Sequence, residues 1–356
     1  NILRAVREHP GLLRAAIASA GNDHRLGANE APPAIISIFI GKQLTGVLDD
    51  LEKKVKDRKM TPGEKTELKL NIGKIPRIIL DNTDRNRTSP LAFTGNKFEF
   101  RAVGSSSSCG PAMIVLNTIL ADQLKSFLQK VEKLTGKGVS KDEAIFRVLR
   151  QFISESRPIL FEGNGYSQEW VEEAERRGLP NHQNTPEALI HYTTKQTAEL
   201  FTTNNIFTKK ELHARYEIRL ENYTKVMQIE SRVLGDLAGN HILPVAIRYQ
   251  NVLVENIRGL REILSDEQYN SHAGLQLHTV SKISEHISQI KASVMKMIAE
   301  RKAANAIEDS AQKAHAYCRK VKPILDEIRY HIDKLEIMVD DQMWTLPKYR
   351  EMLFIK

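Results

Sequence analysis

Two short segments of the chain combine charged side chains in patterns that suit catalysis. The first, residues 22–33, places an Arg, a His and two carboxylates in one loop between helical stretches. Arg25 offers a planar guanidinium that fits a carboxylate or phosphate through two parallel hydrogen bonds. Glu30 precedes a proline pair that stiffens the chain, which suits a residue that closes over a site. A solvated loop with a surface ion pair is the alternative interpretation, which residue types alone do not exclude.

The second segment contains Arg87 and, ten residues later, an alternation of charged and aromatic residues over 97–101. On a strand, Lys97, Glu99 and Arg101 point to the same face because successive side chains alternate. A carboxylate between two cations can ligate a divalent metal ion while the cations neutralise phosphoryl oxygens. A charged, solvent-facing sheet surface is the alternative.

The elements that must position these residues follow from hydrophobic periodicity and turn signals. Helices are predicted where apolar residues recur every three or four positions, and strands where short β-branched or aromatic runs lie between turn residues. The resulting predictions are helices over 2–19, 34–56 and 111–134, strands over 78–80 and 98–103, turns over 81–89 and 94–96, and a structured loop region over 158–185.

The remainder of the chain is predicted to consist of long helices. Three apolar stripes with helical spacing begin at Leu212, Leu277 and Val321, and the third helix has Pro323 near its start. Such stripes are typical of long helices packed in an antiparallel bundle. The fold class predicted for the whole chain is therefore α+β and predominantly helical.

Composition excludes several classes of function. The net charge is +8, but Lys and Arg alternate with Asp and Glu along helical faces, so no nucleic-acid partner is expected. No apolar run approaches the roughly 18–20 residues that cross a bilayer, so no membrane partner is expected either. Cys109 and Cys318 are too few for a disulfide framework, which favours a cytoplasmic location. Neither a Walker loop nor an HExxH zinc motif occurs.

Taken together and in this order, the charged segments resemble those of the glutamine synthetases. Residues 25–32 look like that family's flap segment, residues 86–88 like its Asn-Arg-Ser segment, and residues 97–101 like its Arg-x-Glu-x-Arg strand. The sequences of residues 20–33 and 84–90 are similar to those of the type III branch. The likeness covers essentially the whole chain.

The resemblance implies an ATP-dependent ligase that joins ammonia to the side chain of glutamate through a γ-glutamyl phosphate, using Mg²⁺ or Mn²⁺. Arg25 would bind the glutamate carboxylate, and Glu30 would take a proton from ammonium. Arg87 and Arg101 would stabilise the transferring phosphoryl group. Glu99 would ligate a metal ion, and Lys97 would lie near the nucleotide phosphates. A scaffold or regulatory relative that has lost the reaction is the alternative.

Three departures from the commoner type I pattern concern nucleotide contact. The interval from Arg25 to Glu30 is one residue shorter, Ala92 stands where type I has a second Arg, and Lys97 replaces an Arg. Lysine keeps the charge but loses the bidentate fork.

The resemblance also implies a domain plan and an assembly. Residues 1–135 would be the last part of the catalytic domain, and 136–356 a type III helical region. The chain, which starts without Met, is expected to be the C-terminal half of a longer protein and inactive alone. Family members form double hexameric rings, so a homododecamer is expected.

Overall fold

A computed structural model describes residues 1–26, 34–53, 88–102 and 107–353. Its contacts divide the chain into two compact units, Asn1–Arg219 and Leu220–Lys356. This division reflects internal packing, whereas the predicted boundary at residue 135 is a family domain boundary and remains a prediction. None of the helices in these ranges is long and apolar enough to cross a membrane.

The first unit is built from helices around a small sheet. Its elements are α1 (Ile2–Glu8), α2 (Pro10–Ile17), α3 (Ala20–Asp23), β1 (Ile38–Phe39), α4 (Gly41–Lys53), β2 (Leu91–Phe93), β3 (Phe98–Phe100), α5 (Gly110–Thr135), α6 (Lys141–Ser156), α7 (Gln168–Arg176), α8 (Thr185–Leu189), α9 (Lys195–Thr203) and the first part of α10 (Lys209–Asp236). Short 3₁₀ turns follow α6 (Arg157–Ile159) and α8 (Ile190–Thr193).

The single helix predicted over 2–19 is wrong, because the chain forms the two helices α1 and α2 in this range. His9 leaves helical geometry with φ −130° and ψ 39° directly before Pro10. Proline lacks an N–H and disfavours helical geometry in the residue before it, so the apolar periodicity continues while the backbone breaks.

The helix predicted over 34–56 is correct only in its later part, where α4 runs over Gly41–Lys53. Residues 34–40 are buried, and Ile38–Phe39 form β1. A short apolar run is compatible with a buried strand as well as a helix, and the four isoleucines at 35, 36, 38 and 40 favour the strand. Gly41, with φ 79°, makes the turn from the strand into α4.

The sheet has three strands in the order β1–β2–β3 within the described ranges. β1 pairs with β2 in parallel, and β2 pairs with β3 antiparallel, with Ala92 opposite Glu99. The predicted turn at 94–96 is confirmed: the Thr94 N–H donates to the Lys97 carbonyl at 2.9 Å, and Gly95 has φ 100°. The predicted strand over 98–103 is observed over Phe98–Phe100, β2 was not predicted, and 78–80 lies outside the described residues.

The helices that follow agree with the sequence in part. α5 covers the predicted 111–134 with Pro111 in its first turn. It packs on α6 through a core of Val131, Val148 and Phe152. The predicted loop region over 158–185 also contains the helix α7, whose Trp170 N–H is capped by Ser167 Oγ at 3.2 Å.

The second unit is helical. Beyond the rest of α10, its elements are a π-helical turn (Leu237–Ile242), α11 (Leu243–Ile263), α12 (Asp266–His272), α13 (Gly274–Asn305), α14 (Ser310–Ala316), a second π-helical turn (Tyr317–Val321), α15 (Lys322–Met338) and α16 (Tyr349–Met352).

The apolar stripes predicted for this unit become its core. Ile283, Ile290 and Met297 of α13 are buried, as are Ile328 and Leu335 of α15, whereas Leu277 at the start of the α13 stripe is exposed. α13 and α15 run antiparallel, because His286 contacts His331 and Ser293 contacts Glu327. The predicted packing of long antiparallel helices is confirmed here.

Both π-helical turns end immediately before a residue–proline pair, at Pro244 and Pro323. A proline inside a helix removes one hydrogen bond and clashes with the carbonyl four residues earlier. The wider π turn gives that carbonyl room, so the helical path continues through each proline.

Candidate active site

The predicted charged face forms at β3, with Glu99 inside the strand and Lys97 and Arg101 directly on either side of it. Arg101 Nη2 donates to Glu99 Oε2 at 2.8 Å, and Lys97 Nζ lies 3.3 Å from Glu99 Oε1. The side chains of Glu99 and Arg101 are each about one-third exposed, at 32% and 33%. The expectation that the three side chains share one face is therefore confirmed.

Electrostatics keep this carboxylate charged. The hydrogen bond from Arg101 and then that from Lys97 lower the pKa of Glu99 below its ordinary value. An anionic, partly exposed carboxylate can ligate Mg²⁺ or Mn²⁺, both of which prefer oxygen ligands.

A small apolar residue lies beside Glu99 on the same face of the sheet, because the side chains of directly opposite residues in an antiparallel pair project to one side. Ala92, which stands where type I enzymes have a second arginine, is fully buried in β2 directly across from Glu99. A guanidinium at this position would have no water around it. The departure noted in the sequence is thus accommodated by packing at Ala92.

Arg25 lies just after α3, with its N–H donating to the Asn22 carbonyl at 3.0 Å and its side chain exposed. Glu30 and Arg87 lie outside the described residues. The structure therefore brings together Lys97, Glu99 and Arg101, and it leaves the joining of this face to the residue 25–30 loop as a prediction.

A buried polar cluster anchors the backbone that leads to Arg25. Arg14 of α2, fully buried, donates from Nη1 to Asn22 Oδ1 at 3.0 Å and from Nε to the His182 carbonyl at 2.9 Å. Its Nη2 lies 3.5 Å from Asp23 Oδ1. Thr185 donates to Asp23 through its backbone N–H at 2.7 Å and its hydroxyl at 2.8 Å.

Burial dominates the protonation of this pair. Burial raises the pKa of Asp23, opposed by the Thr185 hydrogen bonds and by Arg14. Burial lowers the pKa of Arg14, opposed by Asp23. Of the two carboxylates in the 22–33 segment, Asp23 is therefore a structural anchor and not a solvated loop residue.

This anchor was missed from the sequence, although one signal pointed to it. Arg14 interrupts an otherwise apolar helix, and a charge on such a face requires a buried partner. That signal did not identify Asp23 as the partner of Arg14, or Thr185, distant in sequence, as the residue that donates to Asp23.

Metal ligands are sparse in the part of the chain that is described. No group of three or more His, Cys, Asp or Glu residues there is arranged to hold a metal ion. Glu99 has the hard oxygen donor that Mg²⁺ or Mn²⁺ needs, and it provides one ligand of the several such ions take. The described residues thus fit part of a metal site.

A small mixed sheet with a cationic–anionic strand face, joined to long packed helices, defines a helix-rich α+β protein. Residues 144–261 match the family profile described as the glutamine synthetase C-terminal domain. The chain belongs to the glutamine synthetase family.

Relatives from three organisms match along the chain. It is 54% identical over 356 residues to a glutamine synthetase of Bacteroides fragilis (strain YCH46), covering 100% of this chain and 49% of the relative. It is 37% identical over 355 residues to the type-3 glutamine synthetase of Dictyostelium discoideum, covering 100% and 48%. A glutamine synthetase of Butyrivibrio fibrisolvens is 34% identical over 363 residues, covering 99% and 49%. The chain spans about half the length of these curated relatives, and the predicted resemblance to the type III branch is confirmed.

Proposed function

We propose that this chain is part of a glutamate–ammonia ligase (EC 6.3.1.2) of the type III branch, which uses ATP to make glutamine. The single observation that carries the proposal is the Lys97–Glu99–Arg101 face on β3, found in a chain whose relatives are named glutamine synthetases. The activity belongs to the whole protein, and the chain alone is expected to be inactive.

In the proposed reaction, the terminal phosphoryl group of ATP passes to the γ-carboxylate of glutamate, and ammonia then displaces phosphate from the acyl phosphate. The protein's task in such a transfer is positioning and charge stabilisation. Divalent metal, when bound, neutralises phosphate charge.

Each predicted residue has a role in this scheme. Glu99 holds the metal ion, and Arg101 and Arg87 stabilise charge on the moving phosphoryl group. Lys97 contacts the nucleotide phosphates as a point charge. Arg25 binds the glutamate carboxylate, and Glu30 takes the proton that ammonium must lose before its nitrogen can attack.

Assembly and location are part of the proposal. A double hexameric ring in the cytoplasm is expected from the family resemblance. Neither Cys109 nor Cys318 forms a disulfide bond, which accords with a reducing compartment.

The test measures glutamine formation and γ-glutamyl transfer by the full-length protein, with Glu99→Ala and Glu30→Ala alongside. We expect Glu99→Ala to lower kcat at least about a hundredfold and to raise the Mg²⁺ concentration needed for half-maximal rate, because a metal ligand is lost.

Glu173→Ala is a matched control for this test. Glu173 on α7 also lies between two cations, with Arg176 and Arg177 each at 2.8 Å, and its side chain is similarly exposed at 37%. Normal activity in both Glu99→Ala and Glu30→Ala would refute the site assignment. An inactive full-length protein that assembles normally would instead favour the scaffold alternative.

A further inference from the structure

Two buried donors of an arginine in the second unit have no acceptor in the part of the chain that the structure describes. Arg301, near the end of α13, is only partly exposed, and its Nε and Nη1 atoms are buried without a hydrogen-bond partner among the described residues. A buried charged donor without an acceptor is strongly unfavourable in a protein interior. A partner for this guanidinium is therefore expected.

A second arginine faces Arg301 from the neighbouring helix. Gln228 Nε2 of α10 donates to Asn305 Oδ1 of α13 at 2.6 Å. Two turns further along α10, a Cβ placed on Gly235 would lie 3.1 Å from Met297 Cε of α13. The helices thus run antiparallel, and Arg232, one turn beyond Gln228, is level with Arg301, one turn before Asn305.

Asn305 adds a third donor at the same place. Its Oδ1 accepts both from Gln228 and, at 2.8 Å, from the hydroxyl of Tyr317 in the second π-helical turn. Those two bonds fix the amide so that its Nδ2 points elsewhere, where it has no partner among the described residues. Asn305 and Arg232 are exposed, so this donor group reaches the surface.

The charges of both arginines affect the pKa of Tyr317. Burial raises the pKa of its hydroxyl, while the bond with Gln228 and the charges of Arg301 and Arg232 act in the opposite direction. Within the described residues, no carboxylate lies at ion-pair distance from either arginine. The two arginines and the amide of Asn305 therefore lie close together, and no carboxylate among the described residues balances their charge.

We propose that Arg232, Arg301 and Asn305 form a binding site for a small oxyanion, either a phosphate or a carboxylate. Guanidinium groups bind both through paired N–H donors, and two facing arginines repel one another until an anion lies between them. The site lies in the helical bundle, and it does not depend on the ligase assignment made above.

The test is a titration of the full-length protein at constant ionic strength, with inorganic phosphate in one arm and malonate in the other. Binding is followed by isothermal calorimetry. We expect saturable binding of at least one of the two anions, and the tighter arm identifies which oxyanion the site favours. Arg301→Gln should weaken that binding roughly tenfold or more.

Two further variants test whether the weaker binding of Arg301→Gln comes from a folding defect or from a general loss of positive charge. Arg232→Gln changes an exposed residue and should weaken binding severalfold without altering the circular dichroism spectrum. Lys302→Gln removes the same unit of charge from the adjacent, exposed position of α13, and it should bind as the wild type does.

Either of two outcomes would overturn the proposal. The first is that neither anion binds, or that both bind equally well to Arg301→Gln. The second is that Arg301→Gln changes the assembly measured by light scattering while anion affinity stays constant, since the partner of Arg301 would then be a carboxylate of another copy of the chain.

Discussion

Two acid–base pairs in the first unit show how burial decides what a charge does. Asp23 and Arg14 are enclosed, so their contribution is to hold α3 against the chain around Thr185. Glu99 and Arg101 are each one-third exposed, so their charges are available to a ligand. The first pair is expected to matter for stability, and the second for chemistry.

The enclosed pair gives a stability prediction. Arg14→Met leaves Asp23 buried beside no cation, so we expect the first unit to lose about 3–5 kcal/mol of unfolding free energy. Asp23→Asn keeps acceptors for Thr185 and should cost less. The measurement is urea unfolding of the full-length protein, with Arg147→Met as control. Arg147 is 52% exposed in its pair with Glu143, and its loss should cost under about 1 kcal/mol. Equal effects at positions 14 and 147 would contradict this view.

A pair of histidines gives a prediction about pH. His182 Nε2 lies 2.8 Å from His191 Nε2, and burial lowers the pKa of both rings. The unfolded chain therefore takes up protons first as the pH falls through about 6.5, so folding stability decreases until the lowered folded-state values are passed. We expect the Tm to fall between pH 7.5 and 5.5.

His191→Gln should reduce that fall in Tm, because one of the two half-buried rings no longer titrates. His213→Gln, at a side chain that is 70% exposed, should leave the fall unchanged. An identical decrease in His191→Gln and wild type would show that other groups cause the acid sensitivity.

At the scale of elements, hydrophobic periodicity correctly predicted the helices that are stabilised by packing. α5 and the long helices of the second unit were predicted because each places an apolar stripe against a neighbour. The failures arose where a local feature competed with that pattern. Pro10 divides a helix whose periodicity continues, and the apolar run before Gly41 pairs with β2, which is distant in sequence. Strand pairing of this kind depends on a partner that periodicity does not reveal.

The contact between α2 and the 3₁₀ turn after α8 gives a prediction for a glycine. A Cβ on Gly11 would lie 2.1 Å from Cε1 of His191, closer than atoms can approach. Gly11→Ala should therefore destabilise the first unit by about 1–3 kcal/mol, because the histidine ring must move.

Gly21 is the matched control, since nothing lies within 4 Å of a Cβ at that position in α3. Gly21→Ala should be neutral or stabilise by up to about 1 kcal/mol. Thermal unfolding of the two variants measures the difference. Similar Tm values for both variants would mean that the His191 ring can move aside without a loss of stability.

At the scale of the whole molecule, the sequence revealed sites that lie along one element and missed those that join several. Lys97, Glu99 and Arg101 follow from alternation on a single strand. The Arg232–Arg301–Asn305 group depends on the register between α10 and α13, which no single segment specifies. The link between β3 and the 25–30 loop is of the second kind, so it rests on the family resemblance alone.

The proposed double ring needs a surface for contact between copies, and α10 offers one. Val226, Ile229 and Val233 lie on one face of this helix at spacings of three and four, and they are 38%, 62% and 51% exposed. A contiguous apolar stripe on a soluble helix marks an interaction site.

We therefore expect the full-length double variant Ile229→Lys, Val233→Lys to form single rings in negative-stain images, since burying two lysines without partners is unfavourable. Ile337→Lys, at an 80% exposed position near the end of α15, should leave double rings intact. Double rings in the first variant would exclude this face of α10 as the ring-to-ring contact, whereas single rings in both variants would mean that any added charge in the second unit disturbs assembly.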